Sequence, residues 1–192
     1  MLWLIGLFII AYILIKFTIV YVNYVVVTAT IGRKFSRILK EGYYILHPLE
    51  GILEYHWTYT NQEFKTIHLK GEKLRLTDSQ IDLAPIECET IDHIVVSLDT
   101  MLMYNVEDPY KAMYATEDPL NLLCQQINRC ARREIVRYKR DQLAENEELI
   151  AKAICEAIAK EWTPIYGLLV KRCEIQNISH DEDTIRRETP NP

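Results

Sequence analysis

The sequence predicts an α+β domain of antiparallel strands with two main helices, carried behind an N-terminal transmembrane helix. Three observations predict it. The 192 residues divide into two materials: residues 1–31 hold 25 side chains of the apolar set and a single charge, Lys16, while the other 161 residues carry 48 of the 49 charged side chains. The mean hydropathy of -0.08 only averages these two. β-Branched and alternating segments come next, and apolar residues at three- and four-residue spacing come last. Strands first and helices later is the α+β order rather than the alternating α/β one.

The apolar stretch Leu2–Val22 would span about 31 Å as a helix, close to a bilayer core. The side chains expected in the membrane are Leu2, Trp3, Leu4, Ile5, Leu7, Phe8, Ile9, Ile10, Ile13, Leu14, Ile15, Phe17, Ile19 and Val20. Lys16 would snorkel to the headgroups. A cleaved signal peptide fits less well, because no basic stretch precedes the apolar one and no small-residue cleavage site follows it. A buried core helix fits less well because every face is apolar. Arg33, Lys34, Arg37 and Lys40 follow the stretch closely, which by the positive-inside rule puts the body in the cytosol and these four side chains at the lipid surface. The predicted location is thus a single-pass membrane one.

In the body, Tyr24–Ile31 reads as a strand broken by Gly32, and Tyr43–Leu46 as a short one ended by Pro48. Ile52–Trp57, Phe64–Leu69 and Leu74–Leu76 are weaker strand candidates, with a turn at Lys70-Gly71-Glu72. Glu87–Ile91 and Ile94–Val106 flank Asp92-His93 as a hairpin, with a bulge expected near Asp99–Met101. Asp108-Pro109 and Asp118-Pro119 each combine an N-cap aspartate with proline at the first helical position. The first opens a short helix to Tyr114. The second opens a long helix to about Tyr138, with Leu120, Leu123, Cys124, Ile127, Ala131 and Ile135 recurring at three- and four-residue spacing. A further helix covers Asn146–Trp162, and Leu168–Ile175 closes the domain as a strand. Residues 179–192 read as a polar tail.

Several strings, in this order, resemble the SPFH (Band 7) family of stomatins, prohibitins, flotillins and HflK/HflC. They are Tyr24–Val27 with Ile31–Leu39, Glu41–Pro48, Ile81–Glu87, Val106–Tyr114, Gln125–Val136 and Glu174–Ile178. The resemblance implies a domain over 24–178 following an anchor over 1–23. Residues 57–80 look like an inserted hairpin, and Glu41, Ala84 and Arg137 replace a proline, a proline and a glycine of the family pattern. It also implies a non-catalytic scaffold that forms homo-oligomers on a membrane, organising lipids or regulating a partner such as a membrane protease or channel. Only one helix of about five turns is compatible with heptads, so side-by-side packing of the domain is expected rather than a coiled-coil wall. The alternative is a small membrane-tethered regulator of one partner enzyme, binding through 57–80.

Other chemistry is not indicated. The net charge of -5 argues against a nucleic-acid partner. His47, His56, His68, His93 and His180 fit no zinc spacing, the five cysteines include no CxxC, and no phosphate-cradling glycine loop occurs, so no cofactor, metal or catalytic residue is expected. Arg129, Arg132, Arg133 and Arg137 have two readings. One is a solvated face ion-paired to the Glu-rich start of the next helix. The other is a contact to a neighbouring protomer or partner.

Overall fold

The computed structural model describes Trp3, Gly6 and residues 16–180. Its contacts divide the chain into two compact units, Met1–His56 with Lys70–Thr77 and Trp57–Leu69 with Asp78–Pro192.

The first unit is built on β2 (Tyr24–Thr30), whose run Val25–Ala29 is buried without a break. Such a run belongs to a strand covered on both faces. β2 pairs antiparallel with β3 (Lys34–Leu39), β5 (Glu50–Ile52) and β8 (Leu74–Arg75). β1 (Lys16–Val20) pairs antiparallel with β4 (Gly42–Leu46), from Lys16 opposite Leu46 to Val20 opposite Gly42. Val20, Val26, Leu39 and Leu46 form the core, with Tyr24, Tyr44 and Ile52 packed against it. The β2–β3 register shifts between Thr28 and Ala29, leaving Ser36 as the extra residue of a bulge.

β1 overturns the transmembrane prediction. Phe17, Ile19 and Val20, expected inside a bilayer helix, stand in a strand hydrogen-bonded to β4, and Asn23 turns the chain at φ 66° into β2. Thr18, Ile19 and Val20 are β-branched, which favours the strand once a partner edge exists. Among the described residues no helix is long and apolar enough to cross a membrane. The helical anchor over 1–23, the single-pass location with a cytosolic body, and the membrane-anchored scaffold or tethered regulator are corrected accordingly. Trp3 is helical and exposed. Leu2, Leu4, Ile5, Leu7, Phe8, Ile9, Ile10, Ile13, Leu14 and Ile15 lie outside the described residues, as does the tail beyond His180.

The second unit centres on β11 (Val95–Val106). Along one edge it pairs with β12 (Leu168–His180), and along the other with β10 (Ile86–Glu89) and β9 (Ser79–Asp82), all antiparallel. The β11–β12 register shifts between Asp99 and Thr100 and again between Met103 and Tyr104, so the expected bulge is present and a second follows it. α1 (Pro109–Tyr114), α2 (Pro119–Ile135), α3 (Arg140–Leu143), α4 (Glu147–Glu161) and α5 (Thr163–Tyr166) lie between β11 and β12 in sequence. Asp108 and Asp118 cap α1 and α2 through their side chains, as expected. α4 packs on β12 and on α2, and α2 packs on β10. Leu98, Leu102, Leu120, Leu123, Ile127, Ile135, Ile150, Ile154 and Ile158 are fully buried there. Each such side chain contributes roughly 1.5–3 kcal/mol by burial.

β6 (Tyr55–Thr60) and β7 (Thr66–Gly71) form a separate hairpin, of which Trp57–Leu69 belongs to the second unit. Its turn is an Asx structure: the Asn61 side-chain oxygen accepts from the Glu63 and Lys65 N–H groups at 3.1 and 2.9 Å, and Phe64 sits at φ 57°.

Candidate interaction surfaces

The basic residues after the apolar stretch do not act as one set. Arg37 is committed to Glu50, a carboxylate only 3% exposed. Glu50 Oε1 accepts from Thr28 Oγ1 at 2.6 Å, Ser36 Oγ at 2.9 Å and Arg37 Nε at 3.0 Å. Its Oε2 accepts from Arg37 Nη2 at 2.9 Å and the His47 N–H at 3.3 Å. The bulge at Ser36 is what turns that hydroxyl toward the carboxylate. Burial by itself would raise the Glu50 pKa. The hydrogen bonds from Arg37, Thr28, Ser36 and His47 outweigh it and hold the group down at about 2. This network ties β2, β3 and β5 together through one anion. Arg33, Lys34 and Lys40 are exposed.

The β1–β4 ribbon presents an apolar outer face. Phe17 lies opposite Ile45, and Ile19 opposite Tyr43. Phe17, Tyr43 and Ile45 are 60, 76 and 64% exposed, and the Phe17 and Tyr43 rings stack with centroids 6.2 Å apart. The alternate residues Thr18, Val20 and Leu46 are buried.

In the second unit, α2 buries Leu120, Leu123, Ile127, Cys130, Ala131 and Ile135 and turns Arg129, Arg132, Arg133, Val136 and Arg137 outward. Arg137 pairs with Glu134 at 3.0 Å. Arg129, Arg132 and Arg133 make no ion pair among the described residues. Glu147 and Glu148 occupy the first turn of α4, where negative charge complements the helix dipole. Beside them, a groove of about 660 Å³ opens between α4 and β12, lined by Ala151, Lys152, Cys155 and Lys171–Ile175.

Among the described residues no group of three His, Cys, Asp or Glu side chains is placed to hold a metal ion. The cysteines are free thiols. Burial pushes Cys88 up to about 11 and Cys124 and Cys173 up to about 12, which removes them as nucleophiles at neutral pH.

Sequence reasoning missed Glu50. Nothing in Leu49-Glu50-Gly51 marks its acid as buried, because the side-chain donors come from strands thirteen to twenty-two residues away. It also missed the second role of Asp118, whose Oδ2 accepts from both the N–H and the hydroxyl of Thr58.

The SPFH domain / Band 7 family profile matches residues 18–187. An uncharacterised protein of Schizosaccharomyces pombe is 30% identical over 172 residues, which cover 90% of this chain and 43% of that protein. Stomatin-like protein stl-1 of Caenorhabditis elegans is 34% identical over 89 residues, 46% of this chain and 27% of that protein. The human stomatin-like protein 2, mitochondrial, is 28% identical over 145 residues, 76% of this chain and 36% of that protein. The chain thus spans less than half the length of these curated relatives.

Proposed function

This chain belongs to the SPFH/Band 7 family, and from that premise we propose that it is a non-catalytic scaffold domain whose second unit packs side by side with further copies of itself. Members of the family are typically non-catalytic scaffolds, and homo-oligomerisation is typical of them. The observation that supports self-association here is the outward face of α2. Arg129, Arg132 and Arg133 stand unpaired among the described residues, around a Val136 that is 48% exposed. An apolar side chain rimmed by charge matches the make-up of an interface patch, an apolar centre with a polar rim. Sedimentation velocity over a hundred-fold range of concentration tests the reading. Assembly that grows with concentration supports it, and a strict monomer at high loading overturns it.

A second contact has its own support. Arg33, Lys34 and Lys40 are exposed, and the β1–β4 ribbon carries exposed Phe17, Tyr43 and Ile45. Basic and aromatic side chains together suit a peripheral contact with anionic headgroups. Co-sedimentation with phosphatidylcholine vesicles, with and without phosphatidylserine, checks it. Equal pelleting with and without the anionic lipid would remove the headgroup reading. A membrane protease or channel as the partner held by the scaffold rests on the family resemblance alone.

A further inference from the structure

The two helix ends that carry unpaired charge in the second unit are opposite in sign. At the end of α2, Arg132 and Arg133 flank Val136. At the start of α4, Glu145, Glu147 and Glu148 surround Leu149, which is 61% exposed. Each set complements the dipole of its own helix. The dipole accounts for the charges but not for an exposed apolar side chain at the centre of each set. An apolar centre within a charged rim is the anatomy of a protein interface.

The local partners do not cancel the charge. Lys152 lies 3.8 Å from Glu156 and Arg172 pairs with Glu174, while Lys171, the third cation lining the groove, makes no ion pair among the described residues. Glu145, Glu147 and Glu148 make no ion pair among the described residues, and neither do Arg132 and Arg133. The groove at the start of α4 is open and bounded by Glu147 and Glu148 on one side and β12 on the other.

We propose that the α2 end of one copy docks on the acidic mouth of the α4–β12 groove of a second copy. Arg132 and Arg133 meet Glu147 and Glu148, and Val136 packs against Leu149. This rests on the self-association reading above and names its seam. The two surfaces differ, so the contact either repeats head to tail, closing rings or extending filaments, or is returned by the same neighbour in a closed two-fold pair. Charge complementarity also sets the register and makes association sensitive to salt.

The test uses the full chain and two charge-reversal variants, R132E/R133E and E147K/E148K, followed by sedimentation velocity at about 50 and about 500 mM salt. All four side chains lie on the surface or at its edge, and circular dichroism confirms that each variant folds. Each variant alone should be monomeric where the native protein assembles. An equimolar mixture should reassemble, because every reversed surface then meets a reversed partner. The native association should weaken by about tenfold or more at the higher salt. Variants that assemble like the native protein, a mixture that stays monomeric, or salt-insensitive association would each overturn the seam while leaving self-association intact. A native protein that is monomeric at every concentration would overturn the self-association reading itself, and the seam with it.

Discussion

One carboxylate serves both the start of a helix and a strand sixty residues earlier: Asp118 accepts the Asn121 N–H on Oδ1 and the Thr58 N–H and hydroxyl on Oδ2. The distances are 3.0, 2.9 and 2.6 Å. β6 is therefore fastened to the N-cap of α2, and the β6–β7 hairpin cannot leave that position without releasing the two Thr58 hydrogen bonds.

Removing that carboxylate should cost more than a cap alone. Asp118→Ala is expected to destabilise by about 2–3 kcal/mol, since it loses the cap and leaves the Thr58 N–H without its acceptor. Thr58→Val, which removes only the hydroxyl, should cost about 1 kcal/mol. Urea unfolding of the two variants checks the ranking, and hydrogen exchange should show the Thr58 amide losing protection in Asp118→Ala. Equal costs would mean that the Thr58 hydroxyl link, and not the cap, carries the energy.

Acid should loosen the first unit through Glu50. Its pKa is held at about 2 in the folded chain, against an ordinary 4.5. A depressed folded pKa gives stability that is fully present above the unfolded value and lost as pH falls from about 4.5 toward 2. The full contribution is about 3 kcal/mol. Urea midpoints between neutral pH and pH 3 should therefore fall in the native protein. Glu50→Gln should start lower at neutral pH, because Arg37 loses its carboxylate, and should show a flatter fall over the same range.

Gly167 should tolerate no side chain. It ends α5 at φ 69°, and its carbonyl accepts the N–H groups of Glu107 and Asp108 at 2.9 and 3.1 Å. A Cβ there would lie 2.3 Å from the Asp108 carbonyl oxygen. Gly167→Ala is thus expected to cost about 2 kcal/mol or more, beyond the left-handed penalty alone. Thermal unfolding measures it, and an unchanged midpoint would show that α5 and the start of α1 move apart at little cost.

Two neighbours in β4 should behave oppositely. Leu46 is 3% exposed and part of the first unit's core, whereas Ile45 is 64% exposed on the outer face of the ribbon. Leu46→Ala should destabilise by about 2–4 kcal/mol, and Ile45→Ala by no more than about 0.5 kcal/mol. A large loss at Ile45 would mean that the outer face is covered in the folded protein.

Much of the second unit is legible in the sequence because its signals are local. Asp-Pro pairs mark the starts of α1 and α2, and three- and four-residue spacing marks the buried sides of α2 and α4. The hairpin of β10 and β11 follows from two apolar runs around Asp92-His93, where His93 takes φ 60°. α2 ends at Ile135, earlier than its periodicity suggests, since Val136 turns outward and the next carbonyls bond in tighter turns. β3 and β5 are not legible. Lys34–Leu39 alternates poorly because one face of it serves Glu50, and Glu50–Ile52 is three residues long.

The sequence by itself determined the family, the α+β order, the two capped helices and the apolar character of residues 1–31. Those depend on neighbouring residues and on composition. Tertiary structure alone decided that Lys16–Val20 is a strand, because an apolar run suits a helix or a strand equally until an edge such as β4 offers hydrogen bonds. It also decided that Arg37 belongs to Glu50 and that Asp118 holds Thr58. Such assignments depend on which distant donors arrive within about 3 Å, a distance that only the folded chain sets.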